Sequence, residues 1–176
     1  MITVKEYTNY FKNLCENHPE LLHSEQSGEK VFLPISIDQA LGSFRTAIKS
    51  KSYFFRLILY TGTTEDVAND RRKNLQCGFV LGKHHKKDHQ SYLDALSDSE
   101  KVLGDFIARM VHDSQTGHAL FSYSLETIAD INYLPTEYTG DQNYSGWICT
   151  FVIRPQFDQC AEGINSPGWL DLIPEE

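Results

Sequence analysis

One segment constrains the fold of this 176-residue chain more than any other. Residues 139–145 form a polar turn rich in Gly, Asp and Asn, and they run into a stretch that opens Gly146-Trp147 and then alternates. Trp147, Cys149, Phe151 and Ile153 fall on one side of an extended chain, and Ile148, Thr150, Val152 and Arg154 on the other. The segment therefore predicts a strand, over 146–154, in a sheet whose apolar face needs a cover. Gly146 and Trp147 are its signature. The plainer reading of the pair is a core aromatic at the start of a central strand, with Gly146 permitting a bulge or a close approach. The alternative is an exposed stacking platform for a ligand.

The remaining elements follow from periodicity and capping. Thr3 and Glu6 have the spacing of a capping box, and Val4, Tyr7, Phe11 and Leu14 recur at helical steps until Asn17-His18-Pro19 stops the helix. Lys30 to Pro34 reads as a short edge strand cut off by its proline, and residues 36–48 as a short helix weakened by Gly42. Tyr53–Tyr60 and Asn74–Leu81 are strands by their aromatic and β-branched content. The polar stretch 61–73 between them is too long for a tight turn and predicts a protruding loop. Asp88 to Val111 predicts a long helix with Tyr92, Leu96, Leu103, Phe106, Ile107 and Met110 largely on one side, and Ser97 to Glu100 is a second capping box at which it would kink. Ala119, Phe121, Tyr123 and Leu125 alternate as a third strand, ahead of the fourth at 146–154. Neighbouring strands on short connections favour antiparallel pairing. The expected fold is α+β: a two-layer sandwich, with an antiparallel four-stranded sheet covered by two main helices. Residues 1–160 form one domain and 161–176 an irregular tail that docks locally or orders on a partner.

Composition narrows the function classes. An apolar fraction of 40% is enough for a core. A net charge of −8 and a pI near 5.3 argue against a nucleic-acid partner, which requires a positive field. The chain opens without a charged and then apolar leader, and no segment is apolar over the roughly 18 residues of a membrane span. A cytoplasmic protein with no membrane partner is expected. Cys15, Cys77, Cys149 and Cys160 are widely spaced with no CxxC pair, so they read as small buried hydrophobes, ahead of a disulfide or a zinc site.

Several clusters carry possible chemistry. His84, His85 and His89 lie in the run Lys83 to His89. Spacing of four on a helix would bring His85 and His89 to metal-binding distance, but Asp88 caps the helix after His85, and no Glu stands where a zincin motif needs one. A solvated strand-to-helix loop is the plainer reading, and a basic patch for a partner protein or a metal site are the alternatives. Arg71, Arg72 and Lys73 could meet phosphate or an acidic surface, against a plain solvated loop. Asp130, Glu137 and Asp141 read as turn residues flanking strands, without the shielded pocket that acid–base catalysis requires. His112, Asp113 and Ser114 are triad letters in consecutive positions, which point apart, so they read as the end of a helix. No catalytic residue, metal ligand or cofactor motif is assigned, and no enzymatic activity is expected.

The pattern from Arg71 through Leu81, the Lys86-Lys87-Asp88 start of a long helix ending Ala108-Arg109-Met110, and Asp141 to Trp147 before the last strand resembles small, uncharacterised proteins of phage-like gene clusters in Bacteroidetes. The element order is also similar to that of tail-terminator and tail-completion proteins. The resemblance covers roughly residues 50 to 160 and rests on turn and packing residues. The His84–His89 region and the 161–176 tail go beyond the pattern. It implies a helix-covered sheet that assembles as a ring in the virion or a phage-like particle, with other tail proteins and further copies of itself as partners. The expected function is thus non-enzymatic assembly. A small-ligand-binding module with Trp147, Tyr123 and Phe151 around an aromatic pocket is the alternative, and a metal-dependent enzyme using the three histidines is a third.

Overall fold

A computed structural model describes residues 2–21, 23–24, 31–35, 53–67, 70–117, 129–139 and 143–154; for 35, 64–67, 70–73, 129, 138 and 139 it describes the backbone alone. The fold is α+β. In chain order the described elements are α1 (Val4–Asn17), β1 (Phe32–Ile35), β2 (Tyr53–Val67), β3 (Asp70–His85), α2 (His89–Thr116), β4 (Ala129–Thr139) and β5 (Asn143–Ile153). The strands form one sheet in the order β1-β2-β3-β5-β4.

The sheet departs from the expected one in three respects. It has five strands instead of four. It is mixed, because β1 lies parallel to β2 while every other pair is antiparallel. Within the stretch 61–73, expected as a loop, residues 61–67 and 70–73 continue the two paired strands past a register shift between Ile58 and Thr61. Polarity misled the reading there. A two-stranded ribbon has no buried face to demand alternation, so its strands can be as polar as a loop. Asp130 and Glu137, expected in turns, lie in β4, an edge strand. The proposed strand at 119–125, the helix at 36–48 and the C-terminal tail fall outside the described residues. The edge strand foreseen before Pro34 is β1, with Pro34 inside it, and β4 likewise contains Pro135. Proline cannot donate to a ladder, so sheets tolerate it mainly at their edges.

Both helices contribute to one core on one face of the sheet. Tyr7, Tyr10, Phe11 and Cys15 from α1 and Val102, Leu103, Phe106 and Met110 from α2 join Phe55, Leu57, Leu75, Cys77, Phe79, Leu81, Cys149, Phe151 and Ile153. Phe55 is its centre. Its ring stacks on Phe79 at 4.9 Å and on Phe106 at 5.0 Å. Helix α1 carries the full capping box, with Thr3 accepting from the Glu6 amide and Glu6 accepting from the Thr3 amide. Its buried stripe is rotated from the expected one: Tyr10 and Cys15 are inside and Val4 is exposed. Helix α2 runs unbroken through Ser97–Glu100, with no new cap at Ser97, and within it Ser99 donates back to Ala95 O at 2.7 Å. It ends at Gly117 in the left-handed conformation (φ 76°).

The opposite face of the sheet has its own smaller cluster of Phe54, Ile58, Val80 and Tyr144, with Ile148 against it.

Candidate functional site

A cleft of about 440 Å³ opens between the C-terminal half of α1 and the second half of α2. Asp113 anchors it. The amphipathic register of α2 turns this carboxylate inward, where it is only 3% exposed. There it accepts from Tyr10 Oη at 3.0 Å, lies 2.9 Å from Arg109 Nε one helical turn earlier, and is 3.4 Å from His112 Nδ1. Burial pushes the Asp113 carboxyl up, but the hydrogen bonds from Arg109, Tyr10 and His112 outweigh it and hold the carboxyl below its ordinary value. Burial, and then the Asp113 charge, push the Tyr10 phenol far up. At the other end His18, the residue that caps α1, lies 3.4 Å from Asp105 and packs its ring against Phe106. The cleft is thus lined by aromatic rings and by charges already paired with one another. Its paired charges and rings join the two helices.

The sequence reading missed this grouping. It placed His112, Asp113 and Ser114 at a helix end, whereas α2 continues to Thr116 and Asp113 is part of its buried face. The available signal was the spacing of four from Arg109 to Asp113, which pairs the two once the helix is carried past Val111.

The histidines do not converge. His84 and His85 are consecutive in β3, not in a loop, so they lie on opposite faces of the sheet. The His84 ring meets Tyr144 edge-on at 5.4 Å. On the helix side the His85 and His89 rings both flank Tyr92, at 5.6 and 6.5 Å. Among the described residues no group of three or more His, Cys, Asp or Glu could hold a metal ion. Nearby, Lys83 lies 2.6 Å from Asp98 and 5.1 Å from the Tyr53 ring centre, tying β3 to α2.

Gly146 and Trp147 act in packing. Gly146 is paired with Gly82 on β3. A Cβ at Gly146 would lie 2.0 Å from Leu81 O, so only glycine allows the strands to approach this closely. Trp147 is half-buried against the main core, and its indole N–H donates to Leu96 O at 3.1 Å. Phe151 is fully buried between Phe11 and Phe79, and Tyr123 lies outside the described residues. Arg71, Arg72 and Lys73 occupy β3 register positions opposite Asp66, Glu65 and Thr64.

Among the described residues, the exposed large apolar side chains of the sheet are on its edge strand β4. Leu134 is 66% exposed and Tyr133 48%, the Tyr133 ring standing edge-on to Trp147 at 5.7 Å. No described helix is long and apolar enough to cross a membrane. No protein-family model and no curated protein matches the chain.

Proposed function

We propose that this chain is a non-enzymatic assembly protein of a phage tail or phage-derived particle, ring-forming near the head–tail junction or the tail end. It works in the cytoplasm until it is incorporated, and its partners are neighbouring particle proteins and further copies of itself. The observation that carries the reading is the exposed Tyr133–Leu134 pair on edge strand β4. Consecutive in β4, the two side chains stand on opposite faces of the sheet, and a neighbour wrapping that edge would bury both. Pro135 interrupts the donors along that edge, so the neighbour meets β4 through these side chains more than through a backbone ladder. The burial of Cys15, Cys77 and Cys149 and the mutual pairing of the cleft charges fit a structural role.

The test is particle incorporation. Density-purified particles from a producing culture should contain the wild-type chain, and Leu134→Lys should deplete it from them while the isolated protein keeps its melting temperature. Particles lacking the wild-type chain would contradict the reading. The cleft between α1 and α2 supports a second reading, a small-ligand-binding module. A ligand that raises the melting temperature of wild type but not of Arg109→Ala would favour it.

A further inference from the structure

Resting on the assembly reading, we infer that the β2–β3 arm joins copies of this chain head to tail, the β2 edge of one copy pairing with the β3 edge of the next. β1 pairs with β2 only over 55–58, and β5 pairs with β3 only from Leu75 onward. Beyond these limits the hairpin continues through five register pairs, Thr63–Asn74 to Val67–Asp70, as a two-stranded ribbon about 16 Å long. Among the described residues no strand pairs with either outer edge of it. The two ends of the described sheet, β1 and β4, each contain a proline; neither arm strand does. The arm therefore offers the edges on which a backbone ladder can run without interruption.

The register decides which pairing is favoured. Glu65 stands opposite Arg72, and Asp66 opposite Arg71. The β2 strand of the arm is acidic, and the β3 strand carries Arg71, Arg72 and Lys73 against the single acid Asp70. Placing β2 of one copy beside β3 of the next makes the Glu65–Arg72 and Asp66–Arg71 rows alternate in sign from copy to copy. Pairing like edges would set acid beside acid or base beside base, which destabilises a sheet. Antiparallel order is kept, since β2 and β3 run in opposite directions. Such a contact uses two different surfaces of each copy, so it propagates, and it closes into a ring when the rotation per copy allows.

Light scattering on the full chain over a range of concentrations, at low and high salt, tests this with three variants. Arg71→Glu/Arg72→Glu and Glu65→Arg/Asp66→Arg should each weaken self-association about tenfold or more. The fourfold variant, carrying both exchanges, should regain self-association yet fail to mix with wild type, because its basic β2 edge would face a basic β3 edge. Salt should weaken the wild-type contact. A wild type that stays monomeric throughout overturns the arm contact, and so does an oligomer unchanged in all three variants. A fourfold variant that prefers wild type to itself also overturns it, since that is the signature of like-edge pairing. The charge exchanges leave Tyr133 and Leu134 unaltered, and particle incorporation tests the assembly reading separately.

Discussion

Tyr10 and Asp113, 103 residues apart in sequence, share a hydrogen bond of 3.0 Å that fastens α1 to α2 beneath the interhelical cleft. Arg109 completes the group from the solvent side. Replacing Asp113 by Ala removes this buried acceptor and its tie between the helices, and should cost about 2 kcal/mol in chemical denaturation. Tyr10→Phe, which leaves the carboxylate its Arg109 partner, should cost less, about 1 kcal/mol.

The same carboxylate sets an acid sensitivity. Its folded-state pKa lies below the ordinary value because hydrogen bonds outweigh the opposing effect of burial. Asp113 therefore contributes stability that is fully present above about pH 4 and is lost as pH falls through the folded-state value. Asp113→Asn removes this dependence. The stability difference between wild type and Asp113→Asn should be constant near neutral pH and shrink below about pH 4. A difference that widens on acidification would reverse the sign of the coupling.

Three glycines should respond differently to alanine. At Gly146 the new methyl would meet the backbone of Leu81 and Gly82, which cannot yield without parting the strands. A loss of about 3 kcal/mol is expected. At Gly82 it would meet the Phe54 ring at 2.4 Å, a side chain able to shift, so the loss should be smaller. At Gly104, on the exposed face of α2, nothing lies within 4 Å. There alanine should raise stability by about 0.7 kcal/mol through helix propensity. Thermal melts of the three variants give the order directly.

What was legible in the sequence tracks how strongly one element's own physics dictates its structure. The N-terminal helix is written in its capping box and in His18-Pro19. The core strands are written in Tyr53–Tyr60, Asn74–Leu81 and the alternation after Gly146, where burial imposes a pattern. The arm was not legible, because residues 61–73 carry the polar composition of a loop and only cross-strand pairing makes them strands. β4 was missed for a related reason: an exposed edge strand can combine Asp130, Pro135 and Glu137 without cost to a core. The mixed sheet depends on β1 lying parallel to β2, a long-range choice that local periodicity does not encode. At the candidate sites, spacing showed that Gly146 permits a close approach. It did not show that His84 and His85 part to opposite faces, because the loop assigned to them is strand.

The thiols give an independent check on the core. Burial pushes the Cys77 and Cys149 thiols up to about 12 and raises Cys15 well above its ordinary value. Alkylation at neutral pH followed by peptide mapping should leave all three unlabelled in the native protein and label them on unfolding. Rapid native labelling of any of them would place it outside the aromatic core described here.

The central claim is that this chain works by assembly, through Tyr133 and Leu134 on the open edge of its sheet. The most direct measurement is the mass of the purified protein by light scattering after size-exclusion chromatography, at two concentrations and with and without zinc, beside Tyr133→Lys/Leu134→Lys. The account predicts a discrete oligomer, indifferent to zinc, whose mass falls in the double variant while the fold is retained. An oligomer of the same mass in both proteins, or one that forms only when zinc is added, would contradict it.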